Sequence, residues 1–466
     1  MKKNPLKGFD EIKPNARLVA KTKMRMLEVL PRRKSKLSVP KPVMAAMLAL
    51  VLIAALVVGV SNGAGGRYLL TAKAENLMKG VIPQKVDVSG ALTDPFVDST
   101  AGFSVELFKQ LYKPDKNTLV SPASAFLALG MTANGASGDT RAAFLKVLGK
   151  DGMTVDGLNR AYKAYADLLT EKKGSTTLTL SNAIWFDKNF SAKLDFLQTN
   201  ANYFGAAAQK LDFDDQSSVG KINGWVKKST NGKIDRMIDS IDPNTVMFLM
   251  NAVYFNGKWQ YPFDADTKPQ DGSFYPESGG KVTASYMQVN AQLNYAQTDS
   301  ERSVLLPYDD GRFAMLLILP KKGVTLGNYI NGLTPKSIAD MSARMQKTSV
   351  ELTLPRFKVT SSNNLTDALK AMGLALGFDA NKADFSQMSI DKQDLYIKSV
   401  IQKTFLKVDE QGTEAAAVTS VQMSAKAFFE TQPVVFDRPF VYAILDTKTK
   451  LPLFLGTLAI PEQDAK

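Results

Sequence analysis

Glu410-Gln411-Gly412-Thr413-Glu414-Ala415-Ala416-Ala417-Val418-Thr419-Ser420-Val421-Gln422-Met423 reads as a β-strand without a sheet of its own. From Thr413 onward the odd positions (Thr413, Ala415, Ala417, Thr419, Val421, Met423) are small and uncharged, then apolar. The even positions (Glu414, Ala416, Val418, Ser420, Gln422) tolerate water. Strict alternation sends successive side chains to opposite faces, so the odd set suits a core and the even set suits solvent. The residues at the front are poor strand formers, and Gly412 supplies a flexible joint. Such a segment can be a loop in one state and a central strand in another.

Working outward, further stretches recur in a recognisable order. Asn117-Thr118-Leu119-Val120-Ser121-Pro122-Ala123-Ser124 comes first, and Asp195-Phe196-Leu197 and Tyr203-Phe204-Gly205 follow. Ile222 to Lys233, Asn251 to Trp259 and Leu354-Pro355-Arg356-Phe357-Lys358 come next, then Phe436 to Phe440 and Leu453 to Gly456. Together with Glu410 to Ala417, which resembles the hinge of the inhibitory members, these motifs resemble the serpin family over residues 97–464. The resemblance implies an α+β fold of large mixed β-sheets with surrounding helices and an exposed reactive loop.

It also implies a function. A target serine protease attacks the exposed loop as a substrate, and the freed hinge end inserts into the main sheet. The protease is then carried away on a covalent bond with its active site distorted. The hinge residues would be Glu410, Gly412, Thr413, Ala415, Ala416 and Ala417. None of the inward positions carries a charge or a proline, either of which would oppose insertion. Family spacing puts the reactive bond between Lys426 and Ala427, and a lysine there suits the acidic pocket of a trypsin-like protease. Counting back from Arg438-Pro439-Phe440 leaves about two residues of slack by the same family spacing, which admits Phe428 or Phe429 and a chymotrypsin-like target. By resemblance, Ser121, Ser124 and Asn251 help form the buried polar cluster where the sheet opens, and Trp259 lies near the loop's entry. Thr353, before Leu354-Pro355, is expected in the same region, where many members carry a histidine. The competing reading is a non-inhibitory member acting as a binding or structural protein, and inhibition of a cysteine protease is a further variant.

Composition removes most other chemistry. The chain of 466 residues has no cysteine and no histidine, so disulfides, thiolate metal sites, a cysteine nucleophile and a histidine general base are all excluded. Ser218-Val219-Gly220-Lys221 fits a Ser-x-x-Lys pattern, but no Lys-Thr-Gly partner follows it. The expectation is a non-enzyme without cofactor or metal, acting as a monomer. Residues 1–42 hold 13 Lys and Arg against Asp10, Glu11 and Glu28, a net +10 of the chain's +13. The large domain therefore carries no broad basic footprint for nucleic acid.

Val43 to Val60 is an uncharged run of 18 residues. As a helix it would be about 27 Å long, near the thickness of a bilayer's hydrocarbon core. The expected organisation is a basic cytoplasmic tail (1–42), a transmembrane signal anchor in contact with membrane lipid (43–60), a linker (61–96) and an extracellular domain (97–464). The basic side stays cytoplasmic by the positive-inside rule. Secretion after signal cleavage is the alternative.

Overall fold

The computed structural model describes residues 75–149, 152–171, 174–242, 245–263, 270–391, 395–413 and 431–462. The tail 1–42, the apolar run 43–60, hinge residues Ala415, Ala416 and Ala417, and Lys426 and Ala427 of the reactive bond lie outside them. No helix among the described residues is long and apolar enough to cross a membrane.

Thr93 opens the first helix by accepting the Phe96 N–H, with Pro95 in the first turn where its missing donor costs nothing. This helix, α1 (Asp94–Leu111), is followed by α2 (Pro122–Ala133), α3 (Gly138–Leu148), α4 (Val155–Thr170), α5 (Leu194–Phe204) and α6 (Ser217–Ser229). Ser121 caps α2, and every residue of α2 is buried, as its apolar sequence on all sides demands.

The strands, in chain order, are β1 (Glu75–Asn76), β2 (Thr118–Val120), β3 (Thr177–Asp187), β4 (Ala207–Leu211), β5 (Met247–Lys258), β6 (Gln270–Phe274), β7 (Val282–Gln297), β8 (Glu301–Pro307), β9 (Phe313–Pro320), β10 (Gln346–Pro355), β11 (Phe357–Asn364), β12 (Val400–Val408), β13 (Gly412–Thr413), β14 (Gln432–Val435), β15 (Phe440–Asp446) and β16 (Pro452–Leu458). They form two sheets. The main sheet has the order β1-β4-β3-β5-β13-β12-β11, and the second runs β14-β10-β7-β8-β9-β15-β16-β2 with β6 beside β7.

Helices cover both faces of the main sheet, which explains why β5 is apolar almost without alternation. Its Leu249, Val253 and Phe255 enter the large core shared with α2, whereas Phe248 and Met250 enter a smaller cluster with Ile222 and Val226 of α6. Burying such side chains contributes about 1.5–3 kcal/mol each. The α+β architecture with large mixed sheets is the one expected.

One expectation of domain organisation needs correction. Residues 75–93 are not a free linker. Glu75 and Asn76 pair with Lys210 and Gln209 of β4, Gln198 donates to the Ile82 carbonyl at 2.8 Å, and Arg160 donates to the Asp87 carbonyl at 2.9 Å. Leu77, Met78 and Val81 pack on the main core, so the folded body includes residues well before 97. The chain from Gln432 to Asp446 forms two strands. β14 pairs in parallel with β10, and β15 lies between β9 and β16. The break follows from Pro439, which has no donor for a ladder; before it, the Phe436 N–H extends the pairing with β10 by donating to the Thr353 carbonyl at 3.0 Å.

Candidate functional site

The decisive geometry lies between β5 and β12. These strands pair in parallel at only three positions, Leu249 with Val400, Met250 with Ile401 and Asn251 with Gln402. At the other end β13 separates them, Thr413 pairing with Gly257 of β5 on one side and with Val408 of β12 on the other. Between these points Ala252 to Asn256 face Lys403 to Lys407 across a gap of five positions in which the two strands share no ladder.

Thr413, expected as the first inward residue of a hinge, is fully buried and already lies in the sheet. Its hydroxyl and that of Tyr308 share a hydrogen bond of 2.6 Å. The turn before it is short. Asp409 N–H donates to the Gly412 carbonyl at 3.0 Å, and Gln411 N–H donates to Asp409 Oδ1 at 3.1 Å. Lys407 Nζ lies 2.9 Å from Asp409 Oδ2. Arg356 Nε lies 3.3 Å from Glu410 Oε1, an ion pair whose alignment falls short of a hydrogen bond.

Gly412 is required for steric reasons. Its φ is +158°, and a Cβ there would run into the Gly257 carbonyl oxygen. No side chain could follow the backbone through this contact. Trp259 closes the entry. Its indole Nε1–H donates to the Asp409 carbonyl at 2.8 Å, its backbone N–H to the Gln411 carbonyl at 3.0 Å, and its ring stacks on Tyr308 at 4.6 Å.

At the closed end of the gap, buried polar side chains tie the strands to α2. Gln402 on β12 donates to the Ser121 carbonyl at 2.9 Å and accepts the Ser121 N–H at 2.9 Å. It also donates to Ser124 Oγ at 3.4 Å. The Ser124 hydroxyl donates to Asn251 Oδ1 on β5, and the Asn251 amide donates to Asn182 Oδ1 on β3. Ser121 Oγ donates to the Leu453 carbonyl at 2.7 Å. All five side chains are buried, and leaving any one unpaired would cost about 1–3 kcal/mol. Separating β5 from β12 must therefore exchange the bonds that meet at Ser124.

Ser121, Ser124 and Asn251 thus come together, and Trp259 sits at the hinge. Thr353 does not belong here. It lies on β10 of the second sheet, paired with Gln288 and Val435, because the chain crosses from one sheet to the other only after Pro355. Gln402 occupies the cluster instead. Its signal was legible in Val400 to Val408, where Val400, Gln402, Thr404, Leu406 and Val408 share the buried face and Gln402 is the long polar side chain among them. Asn182 and Tyr308 were also missed, since neither belongs to a motif near the hinge in sequence. Ser218 of the Ser-x-x-Lys pattern is buried at the start of α6 and donates to the Asp212 carbonyl at 2.6 Å.

A family model described as serpin (serine protease inhibitor) matches residues 98–461. This chain is a serpin. An uncharacterised serpin-like protein of Thermococcus kodakarensis is 31% identical over 374 residues, 79% of this chain and 86% of that protein. The native-state structure of tengpin, a thermophilic serpin, aligns with a TM-score of 0.78 at 36% identity, covering 83% of this chain and all of that one. Human thyroxine-binding globulin aligns with a TM-score of 0.72 at 27% identity, over 79% of this chain and 99% of the globulin. The family is described as one of serine protease inhibitors, and its solved members include this globulin in complex with thyroxine.

Proposed function

We propose that this serpin is a suicide-substrate inhibitor of serine proteases, cut after Lys426 by trypsin-like enzymes and completed by insertion of residues 413–423 into its main sheet. Loop insertion in serpins is itself a standing example of strand addition to a sheet. The observation that carries the reading is Thr413, laddered on both sides at the mouth of a gap whose far end is in the same register. Carrying that register forward sets Ala415 between Phe255 and Leu406, Ala417 between Val253 and Thr404, and Thr419 between Asn251 and Gln402, where the ladder is now closed. Small inward side chains meet large neighbours, which is what packing at constant density asks for. On the outer face Glu414 would stand opposite Lys407, a favourable cross-strand pair.

Mixing the protein with trypsin should yield an SDS-resistant complex and release a C-terminal fragment beginning at Ala427. Lys426→Ala should slow trapping by trypsin by at least about 100-fold, the loss of a buried charge pair in the specificity pocket. A fragment beginning at Phe429 or Glu430 would move the bond to the Phe428–Phe429 pair and the target to a chymotrypsin-like protease. If no serine or cysteine protease is trapped, the protein belongs with the non-inhibitory members.

The charge pattern of residues 1–60 supports a location as well, and we place the inhibitor domain outside the cell behind an uncleaved anchor. Protease added to intact cells should remove the large domain and spare an epitope before Val43. Protection of the domain would overturn this orientation.

A further inference from the structure

We infer that Tyr308 is a positioning residue that reads a hydroxyl at position 413, latching the first hinge residue into the main sheet before any protease arrives. The kinetic consequence rests on the inhibitor reading above; the latch itself does not.

Tyr308 follows the last residue of β8 and is held from several directions. Its backbone bridges to Trp259, its N–H donates to the Phe313 carbonyl at 3.0 Å, and the N–H of the next residue, Asp309, donates to the Lys258 carbonyl at 2.9 Å. The ring lies on Trp259 at 4.6 Å with an interplanar angle of 20°, and meets Phe255 edge-on at 5.0 Å. It fits over β5 only because residue 257 is glycine, since a Cβ there would come within 2.8 Å of the ring. A rigid, fully buried phenol therefore points one hydroxyl at one place.

That place is Thr413 Oγ1, which is equally buried. Neither hydroxyl can be left without a partner cheaply in such surroundings. Burial also pushes the Tyr308 phenol well above its ordinary range, so the group stays neutral and the bond persists at every physiological pH. The pair spans 105 residues and joins the end of β8 to the hinge, so it acts across the point where the sheet must open. A small hydroxyl residue at 413 is thereby favoured over an alanine or valine of similar size, and the loop is shortened at its hinge end while the latch is closed.

A double-mutant cycle on the intact, uncut protein tests this, read as amide hydrogen exchange of residues 409–413. Tyr308→Phe and Thr413→Val each leave one buried hydroxyl unpaired and should speed exchange about ten-fold or more. The double variant leaves none and should return to within a few-fold of the parent, because replacing both partners removes the penalty. Thr413→Ser keeps the hydroxyl and should stay within about two-fold of the parent. Exchange unchanged in Tyr308→Phe, or single effects that simply multiply in the double variant, would overturn the latch. With trypsin, Tyr308→Phe should speed cutting of the loop and raise the number of inhibitor molecules used per protease. If the protein traps no protease, the exchange cycle still decides the latch, so the two readings fail separately.

Discussion

Cutting the loop after Lys426 should raise the unfolding midpoint of the domain by something of the order of 10 °C. The gap between β5 and β12 leaves five positions on each strand without a partner on the facing side, and the closed end adds three pairs that an entering strand would take over. A strand that reaches Val421 in that register gains hydrogen bonds on both sides and buries Ala415, Ala417 and Thr419 on the way. At a net of about 1 kcal/mol per added hydrogen bond, less the cost of ordering the strand, several kcal/mol remain. For a domain of this size each kcal/mol moves the midpoint by about 2 °C. Calorimetry of the intact and nicked proteins decides the matter. Equal midpoints would remove insertion and the inhibitory mechanism together.

Thr413→Arg should convert the inhibitor into a substrate. Thr413 is fully buried against Tyr308, and Gly412 holds the adjoining backbone against the Gly257 carbonyl, so a guanidinium has no room there. The variant's hinge should leave the sheet, and the loop should still be cut at Lys426. Insertion must then carry the arginine past the entry at a cost of several kcal/mol. A penalty of about 3 kcal/mol felt in that step slows it about 100-fold, long enough for the acyl-enzyme to hydrolyse. The measurement is the number of inhibitor molecules consumed per protease trapped, which should rise at least about ten-fold. If the variant trapped protease at the parent ratio, the assignment of residue 413 as an inward hinge position would be wrong.

Insertion as far as Thr419 also engages the polar cluster beneath the gap. It brings the new strand between Asn251 and Gln402, whose side chains now meet through Ser124. The neutral amide of Gln402, in a chain without histidine, makes this junction insensitive to pH across the physiological range. Opening there exchanges hydrogen bonds and does not require a proton.

Much of this protein was determined by its sequence alone. The absence of cysteine and histidine removed whole classes of chemistry, and alternation from Thr413 marked that residue as an inward position. An inward face is a property of one element, and periodicity reports it directly. What tertiary structure decided was which faces meet. Gln402 stands beside Asn251 across 151 residues, Tyr308 meets Thr413 across 105, and residues 75–93 start on the edge of the main sheet and pack along the body instead of forming a linker. Thr353 shows the limit plainly, since its place before Leu354-Pro355 gave no hint that the chain changes sheets two residues later. A shift of one residue would turn every side chain of a strand to the other face, so alternation restricts its register, but which distant strand it meets is set only by the packing of the whole core.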